Sequence, residues 1–450
     1  MRIVLISPKG PLYRHRGGIF RKSLRYSPLT LITLAALVPP DVPAEIRIID
    51  EGIDEVPLDL DADLVGMTVI TGSANRAYEL ADRFRARGLP VVLGGPHITL
   101  IPDDARPHAD ALVTGYAEHT WPELLRDHQR GQMRPLYAQG KVDLAGQPWP
   151  RRDLLPRNLY RTSAVFEATR GCIHDCDFCV VPTAWGRKPY QRPPEEVAAE
   201  IKATGARKAI FIDLNLIADK TYARQLFDAL TPLGVQWFGL ATILLQRDVE
   251  LLERMARSGC RGLLVGLESI SQGNLDGSGK RFNHADTYVD FVDLLHRHGI
   301  ALMGTFVFGM DGDTPQIFDE TARFVNEAGI DLPRFAIVTP FPGTPLFRRL
   351  SAEGRLLHQN WERYDGQHVV FQPSQMSVRE LETGHQRAWR AVYTYPAIAR
   401  RLWRSRTELG ITIGANLGYR YYANHLHTHY NCDWIIGAEP PRALPGQEVA

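Results

Sequence analysis

Cysteine is scarce in this chain. There are five in 450 residues, at positions 172, 176, 179, 260 and 432. So odd and sparse a set excludes a secreted disulfide framework. Long apolar runs are missing too: Leu29 to Val38, the longest near the N-terminus, is too short to span a bilayer. The opening Met-Arg-Ile-Val-Leu-Ile-Ser-Pro has too short an apolar run for a secretion signal, and no small-residue cleavage site follows, which predicts a cytoplasmic protein. Charge of one sign is lacking as well. With 52 Lys+Arg against 51 Asp+Glu, the formal net charge is +1. That balance excludes a nucleic-acid surface spread over the whole protein and leaves room only for local basic patches. No solenoid-type repeat or low-complexity block is present. What remains is an ordinary globular composition, 44% hydrophobic and 23% charged. The length suggests about three domains at roughly 150 residues each, or two larger ones, with no need of disulfides to fold.

Two regions alternate apolar runs with amphipathic stretches. In residues 1–130 the runs Ile3–Ile6, Ile46–Ile49, Leu64–Ile70, Val91–Leu93 and Ala111–Val113 predict buried strands, with helices over Ser73–Arg87 and His119–Arg130. Continuous apolar strands with intervening helices predict a doubly wound parallel sheet, whose ligands bind at the strand carboxyl ends. Pro135, Pro148, Pro150 and Pro156 mark 131–162 as a linker. A second alternation runs from Ala164 to Val338. Its strand candidates are Ala164–Ala168, Ala209–Ile212, Val235–Leu240, Gly262–Leu267, Ala301–Phe308 and Arg334–Val338. Six strands with helices between them predict a partial (β/α)6 barrel, short of the eight repeats of a closed one. Beyond Pro345 the pattern is mostly helical, with an aromatic-rich end (Tyr419, Tyr421, Tyr422, Tyr430, Trp434) and a proline-containing tail. The predicted domains are therefore 1–145, 146–345 and 346–450.

Three of the five cysteines fall within eight residues, in Thr169-Arg-Gly-Cys172-Ile-His-Asp-Cys176-Asp-Phe178-Cys179, directly after the first barrel strand. Three thiolates so close can grip three corners of one iron–sulfur cubane, leaving one iron open to chelate an amino acid through its amine and carboxylate. The alternative is a zinc knot with His174 or Cys260 as fourth ligand, although zinc motifs usually come as two separated pairs and no second pair is present. The CxxxCxxC spacing, with its strand and barrel context, resembles the radical S-adenosylmethionine (SAM) superfamily over roughly residues 160–345. The resemblance implies a 4Fe-4S cluster on Cys172, Cys176 and Cys179, SAM on the open iron, and Phe178 against the adenine. It implies further SAM contacts from Glu268 and Ser269 in Gly266-Leu-Glu-Ser, from Lys280, and from Thr242, where many relatives place a charged residue. Asp213 and Asn215 match the family's polar pair after the second strand; they either orient SAM or cap the next helix. The Gly309-Met-Asp-Gly-Asp313-Thr and Pro340-Phe-Pro-Gly-Thr-Pro345 segments resemble family landmarks that shape turns.

In the first region, Gly94-Gly95-Pro96-His97 follows a strand and resembles the loop of cobalamin-binding domains fused to such barrels. The resemblance implies cobalamin contacts from Leu12, Thr71, Gly72, Gly94, Gly95, Pro96, His97, Gly115, Tyr116 and Glu118. The chain lacks Asp-x-His-x-x-Gly, the motif that supplies an axial histidine elsewhere, so His97 either ligates cobalt or orders its loop. Arg14, Arg16, Arg21, Lys22 and Arg25 in the first long loop are placed to meet polar groups of the corrin. Arg400, Arg401, Arg404 and Arg406 form either a solvated helix face or a site for an acidic substrate. His425, His427 and His429, followed by Cys432, fit either an extended metal site or the C-terminal fold.

Taken together, the resemblance implies a cobalamin-dependent radical SAM methyltransferase. It would act on an unactivated carbon or phosphorus centre of a small molecule, through a 5′-deoxyadenosyl radical and methylcobalamin. An external electron donor such as flavodoxin or ferredoxin is implied; a membrane span and a nucleic-acid partner are not. Radical rearrangement, oxidative cyclisation or polar methylation are the alternatives within the class. A non-catalytic corrinoid- or metal-binding regulator is the alternative outside it.

Overall fold

The apolar runs of the first region do pair as a parallel sheet. A computed structural model describes residues 1–10, 23–156, 159–162, 164–405 and 407–426. Leu12, Arg14, Arg16, Arg21, Lys22, Arg406, His427, His429, Tyr430, Cys432 and Trp434 lie outside the described residues, as does the side chain of Arg25. The sheet runs Glu45–Asp50, Arg2–Ser7, Leu64–Thr68, Val91–Gly94, Ala111–Gly115, Leu136–Gln139, all parallel. Arg2–Ser7 is buried on both faces, as its unbroken apolar run requires. The strand order reverses beside it, opening a crevice at the carboxyl ends of Arg2–Ser7 and Leu64–Thr68.

The sixth strand, Leu136–Gln139, falls inside the segment whose prolines predict a linker. Only Tyr137 and Gln139 of its four residues point inward, too few to leave a periodic signal. The same segment supplies Tyr160–Thr162, which pairs in parallel with Ser23–Tyr26 from the first long loop. Both pairings are non-local, which is why proline content alone misassigns them. Gly115 is dictated by the edge strand. Its φ is +74°, and a Cβ there would stand 2.1 Å from the Gln139 carbonyl oxygen.

Six parallel strands form the second sheet, in chain order: Val165–Phe166, Lys208–Phe211, Gln236–Ala241, Cys260–Glu268, Ala301–Phe308 and Arg334–Ile337. The first is shorter than predicted because the Asp213 carboxylate takes the backbone N–H groups of Ala168 and Thr169. Burial alternates along the longer strands: every second residue is sealed under the outer helices, and those between are half-exposed. A closed barrel fills its interior with side chains; here the inward-facing row borders open space.

The chain after Pro345 is helical as predicted, with helices Pro345–Ala352, Val378–Val392, Tyr395–Arg404 and Leu409–Asn424. A capping box of Ser377 and Glu380 starts the second. It docks on the barrel through His385 Nε2 and Trp389 Nε1, at 3.2 and 3.1 Å from the Phe335 carbonyl. The basic run is not one face. Arg401 is fully buried, its guanidinium bonded to Asn326, Asn416 and the Val392 carbonyl, while Arg400 and Arg404 are exposed. His425 closes the last helix, Nδ1 lying 2.7 Å from the Tyr421 carbonyl.

Gly384 tests how tightly the C-terminal helices are docked. Alanine in a helix interior ordinarily gains about 1 kcal/mol over glycine. Here a Cβ would sit 2.2 Å from the ring of buried Phe318, which is locked edge-on against Phe308. Overpacking of this kind costs about 1 to 3 kcal/mol. Gly384→Ala is therefore expected to lower the thermal unfolding midpoint, where propensity alone would raise it.

Candidate functional site

The cysteine loop is held from several sides before any ligand is considered. Thr169–Arg170 pairs antiparallel with Tyr190–Gln191. Gly171 follows with φ +90°, where a Cβ would lie 2.5 Å from the Lys188 carbonyl oxygen. Asp177 N–H donates to the Ser278 carbonyl (3.1 Å), and its own carbonyl accepts from Leu346 N–H (3.1 Å). Gly279, with φ +76°, packs close to the Asp175 carbonyl, where a Cβ would lie 3.3 Å away. Cys172, Cys176 and Cys179 are free thiols in this cradle. Burial pushes the Cys176 thiol up to about 12, so it stays protonated until a metal displaces the proton.

Two buried polar atoms have no hydrogen-bond partner, His174 Nε2 in this loop and Thr242 Oγ1 at the end of the third barrel strand. Buried polar atoms without partners are rare, and they mark places where a bound group completes the network. His174 stacks on Phe282 with ring centroids 3.9 Å apart. Cys260 cannot join the cysteines as a zinc ligand. It begins the nine-residue strand whose far end, Glu268, neighbours them, which puts it roughly 25 Å away. Among the described residues, no three His, Cys, Asp or Glu side chains converge on a single metal ion.

Glu268 sits at a bulge in the fourth strand with φ +66°, a left-handed conformation costly for glutamate. Its carboxylate is ion-paired with the Lys280 ammonium. Gly266 makes room for them: a Cβ there would fall 2.2 Å from Glu268 Oε1 and 2.6 Å from Lys280 Nζ. Asn283 Nδ2 pins the bulge through the Gly266 and Leu267 carbonyls. Ser269 Oγ accepts from Ser271 N–H in a local turn.

Asp213 and Asn215 do not cap the next helix. Asp219 does, accepting from Thr221 and Tyr222 N–H. Asn215 closes its own turn onto Ile217 N–H. Asp213 is buried against the backbone that leads into the cysteine loop, and burial together with nearby Glu167 raises its carboxyl to about 7.

A cavity of about 740 Å³ opens between the two parallel sheets. The first region contributes strand-end loops, with Gly94, Gly95, Pro96, Gly115, Tyr116 and Glu118 on the wall. The barrel contributes Glu167, Thr169, Arg170 and Gly171. One arm of the cavity passes Gly66 and runs between the sheet and two helices, toward Leu34, Leu37 and Trp121. Gly66 is needed there, since a Cβ would meet Leu5 at 3.1 Å and Trp121 at 3.4 Å. Gly95 lets the loop lie on Val69, 2.8 Å from where its Cβ would be.

His97 does not face this space. It is fully buried, with Nδ1 3.3 Å from Thr71 Oγ1 and Nε2 3.1 Å from Tyr78 OH. Asp104 accepts from Tyr78 OH (2.9 Å) and from Trp361 Nε1 (3.0 Å), so the histidine network ties the first sheet to the C-terminal region. Thr71 and Gly72 are not on the cavity wall either. Several wall residues escape sequence reasoning. Half-exposed Ile70 and Leu214, Trp185 after the cysteine loop, and Met303, Arg334 and Tyr419 at the inner end carry no local signal.

Family models agree with this division. The B12 binding domain matches residues 36–125, the Radical SAM superfamily 166–325, and a domain of unknown function 344–437. Bacteriochlorophyllide d C-12(1)-methyltransferase of Chlorobaculum tepidum is 31% identical over 388 residues, covering 83% of this chain and 84% of that one. The C-8(2)-methyltransferase of the same organism is 30% identical, covering 83% and 87%. The solved structure of the cobalamin-dependent SAM radical enzyme OxsB shares the fold, with a TM-score of 0.66 at 13% identity over 95% of this chain and 72% of that one. Two parallel-sheet domains, one reading as a corrin cradle and the other carrying a three-cysteine loop, define a cobalamin-dependent radical SAM enzyme. The chain belongs to the cobalamin-dependent radical SAM methyltransferase family.

Asp213 gives a pH signature. Its acidity is weakened in the folded state, so its contribution to stability is full below the ordinary carboxylate range and is lost as pH rises through about 7. The unfolding midpoint should therefore fall from about pH 4 to 7 and level off above that, and fall less in Asp213→Asn, which keeps an acceptor without a charge. Asp213→Ala strands two buried amides and is expected to cost about 2 to 3 kcal/mol throughout that range.

Proposed function

We propose that this enzyme methylates a carbon centre of a small, mainly apolar molecule held in the cavity between the two parallel sheets. One observation carries the reading: a single cavity is walled by the strand-end loops of both domains, so groups bound at either face meet the same substrate. The proposed divisions are 1–145 for cobalamin, 146–345 for the cluster and SAM, and 346–450 for closing the substrate end.

Cys172, Cys176 and Cys179 would hold the 4Fe-4S cluster, and the Glu268–Lys280 pair would receive the amine and carboxylate of SAM. Thr242, at the end of the third barrel strand, would offer an unsatisfied hydroxyl, and Phe178 an aromatic face. Gly94, Gly95, Pro96, Gly115, Tyr116 and Glu118 would line the corrin, with the arm past Gly66 taking its nucleotide tail. His97 is committed to Thr71 and Tyr78, so it orders the loop and leaves cobalt without a histidine from this position. When bound, these groups supply a carbon-radical generator and a transferable methyl group. The protein's own part is to orient them and keep water out: Ile70, Leu214, Trp185 and Met303 make the substrate wall apolar. The electron comes from an external donor of the flavodoxin or ferredoxin kind.

Anaerobic protein reconstituted with iron, sulfide and cobalamin, then given SAM and a reductant, is expected to release both 5′-deoxyadenosine and S-adenosylhomocysteine. Deoxyadenosine alone would favour rearrangement or cyclisation, and S-adenosylhomocysteine alone a polar transfer. Neither product, with zinc bound in place of iron, would sink the reading. Cys172→Ala is expected to abolish deoxyadenosine. Gly266→Ala should displace the Glu268–Lys280 pair and weaken SAM binding by about tenfold or more, measured by equilibrium dialysis, with the cluster absorbance retained.

A further inference from the structure

The last two described helices present an apolar surface that the proposed reaction does not use. On Leu409–Asn424, the residues Leu409, Ile413, Leu417 and Tyr421 recur at every fourth position and are all exposed. That spacing aligns them in one stripe along the helix. Gly410 and Gly414 lie beside it with open space above them, and the charge within its arc is Arg420, whose guanidinium lies over Tyr395. The neighbouring helix Tyr395–Arg404 adds Trp403, 90% exposed, and Tyr395, 63% exposed. Arg420 lies 3.9 Å over the Tyr395 ring, which joins the two helices into one surface. A tryptophan this bare is unusual, and an apolar stripe rimmed by aromatic side chains marks an interaction site.

The charge around the stripe indicates its occupant. Of the five arginines in residues 395–426, Arg400 and Arg404 are exposed, and the one acid of that stretch is Glu408. Glu408 is turned away, toward Gln236 and Arg261. Exposed Arg400 and Arg404 flank Trp403 on its own helix, with Asp293 the nearest carboxylate to Arg404, at 4.0 Å. Apolar residues along a helix face, interfacial Trp and Tyr, and a rim of arginine are the features by which helices lie in the headgroup layer of an anionic bilayer. No described helix is long and apolar enough to cross a membrane, so the contact is one of lying on the surface. The same helix lines the substrate cavity from its other side through Tyr419.

We infer that the surface formed by Trp403, Tyr395 and the Leu409–Ile413–Leu417–Tyr421 stripe docks this enzyme on an anionic lipid bilayer. The inference goes beyond methyl transfer and does not require it.

Flotation of the full-length, cluster-loaded protein with vesicles tests it. Wild type is expected to float with phosphatidylcholine vesicles containing about 30 mol% phosphatidylglycerol, and about tenfold less with phosphatidylcholine alone or at high salt. The double variant Trp403→Ser, Leu417→Ser should lose flotation while keeping the thermal midpoint and the deoxyadenosine yield. Arg400→Gln, which disturbs no packing, should weaken it on anionic vesicles only. Absence of wild-type flotation, equal flotation on neutral vesicles, or an unchanged double variant would each overturn the inference. So would a wild-type dimer in sedimentation that the double variant dissolves, since the surface would then join two copies. Deoxyadenosine measured on the same samples separates failure of this surface from failure of the proposed reaction.

Discussion

The geometry between the two sheets depends on one guanidinium. Arg170, two residues before the first cysteine, is ion-paired with Glu118 from the loop after the first sheet's strand Ala111–Gly115 and with Glu167 from the barrel. Burial opposes its charge, but the two carboxylates outweigh burial and hold it ionised. A buried cation shared between two anions tolerates the loss of neither, because the remaining charge would be stranded away from water. Together with the Tyr116 hydroxyl, which donates to the Trp185 carbonyl, Arg170 ties the loop after Gly115 to the segment around the cysteines, on the wall of the cavity they share. Gly171 and Gly115 follow from the same demand. Each lets backbone pass where a side chain would strike a carbonyl, next to the residue that makes the tie.

An unfinished barrel makes the rest possible. Six strands leave the inward-facing row partly exposed, so the interior is space where a closed barrel would be solid. The energetic cost is concentrated at the fourth strand's end, where Glu268 is held in a left-handed conformation by Asn283 and paired with Lys280. The ion pair is neutral overall and lies beside the three thiols. The histidine network does comparable work on the other side. His97, Tyr78, Asp104 and Trp361 join the first sheet to the C-terminal region with every nitrogen and hydroxyl satisfied.

Much of this was legible in the residues. The buried strands, their helices, the six-fold alternation and the cysteine loop all follow from local pattern, because each depends on neighbours within a few positions. The edge strand Leu136–Gln139 did not, since half of it faces outward and its partner lies more than twenty residues away. Asp213 was visible as a polar residue after a strand, but that it grips the amides of Ala168 and Thr169 depends on how the first two barrel strands pair. The arginine run read as one feature divides into buried Arg401 and its exposed neighbours, because a helix turns successive residues to different faces.

By itself, then, the sequence determined which elements form, which three thiols share a loop, and which family the chain resembles, because spacing along the chain is enough to specify each. Only the tertiary structure decided that Cys260 stands too far off to join those thiols, that His97 turns inward, and that Arg170 bridges to Glu118 of the first region. It decided as well that Met303, Arg334 and Tyr419, from a strand, another strand and a distant helix, meet at the inner end of one cavity. Those outcomes depend on distances between residues far apart in the chain, and no local pattern carries such distances.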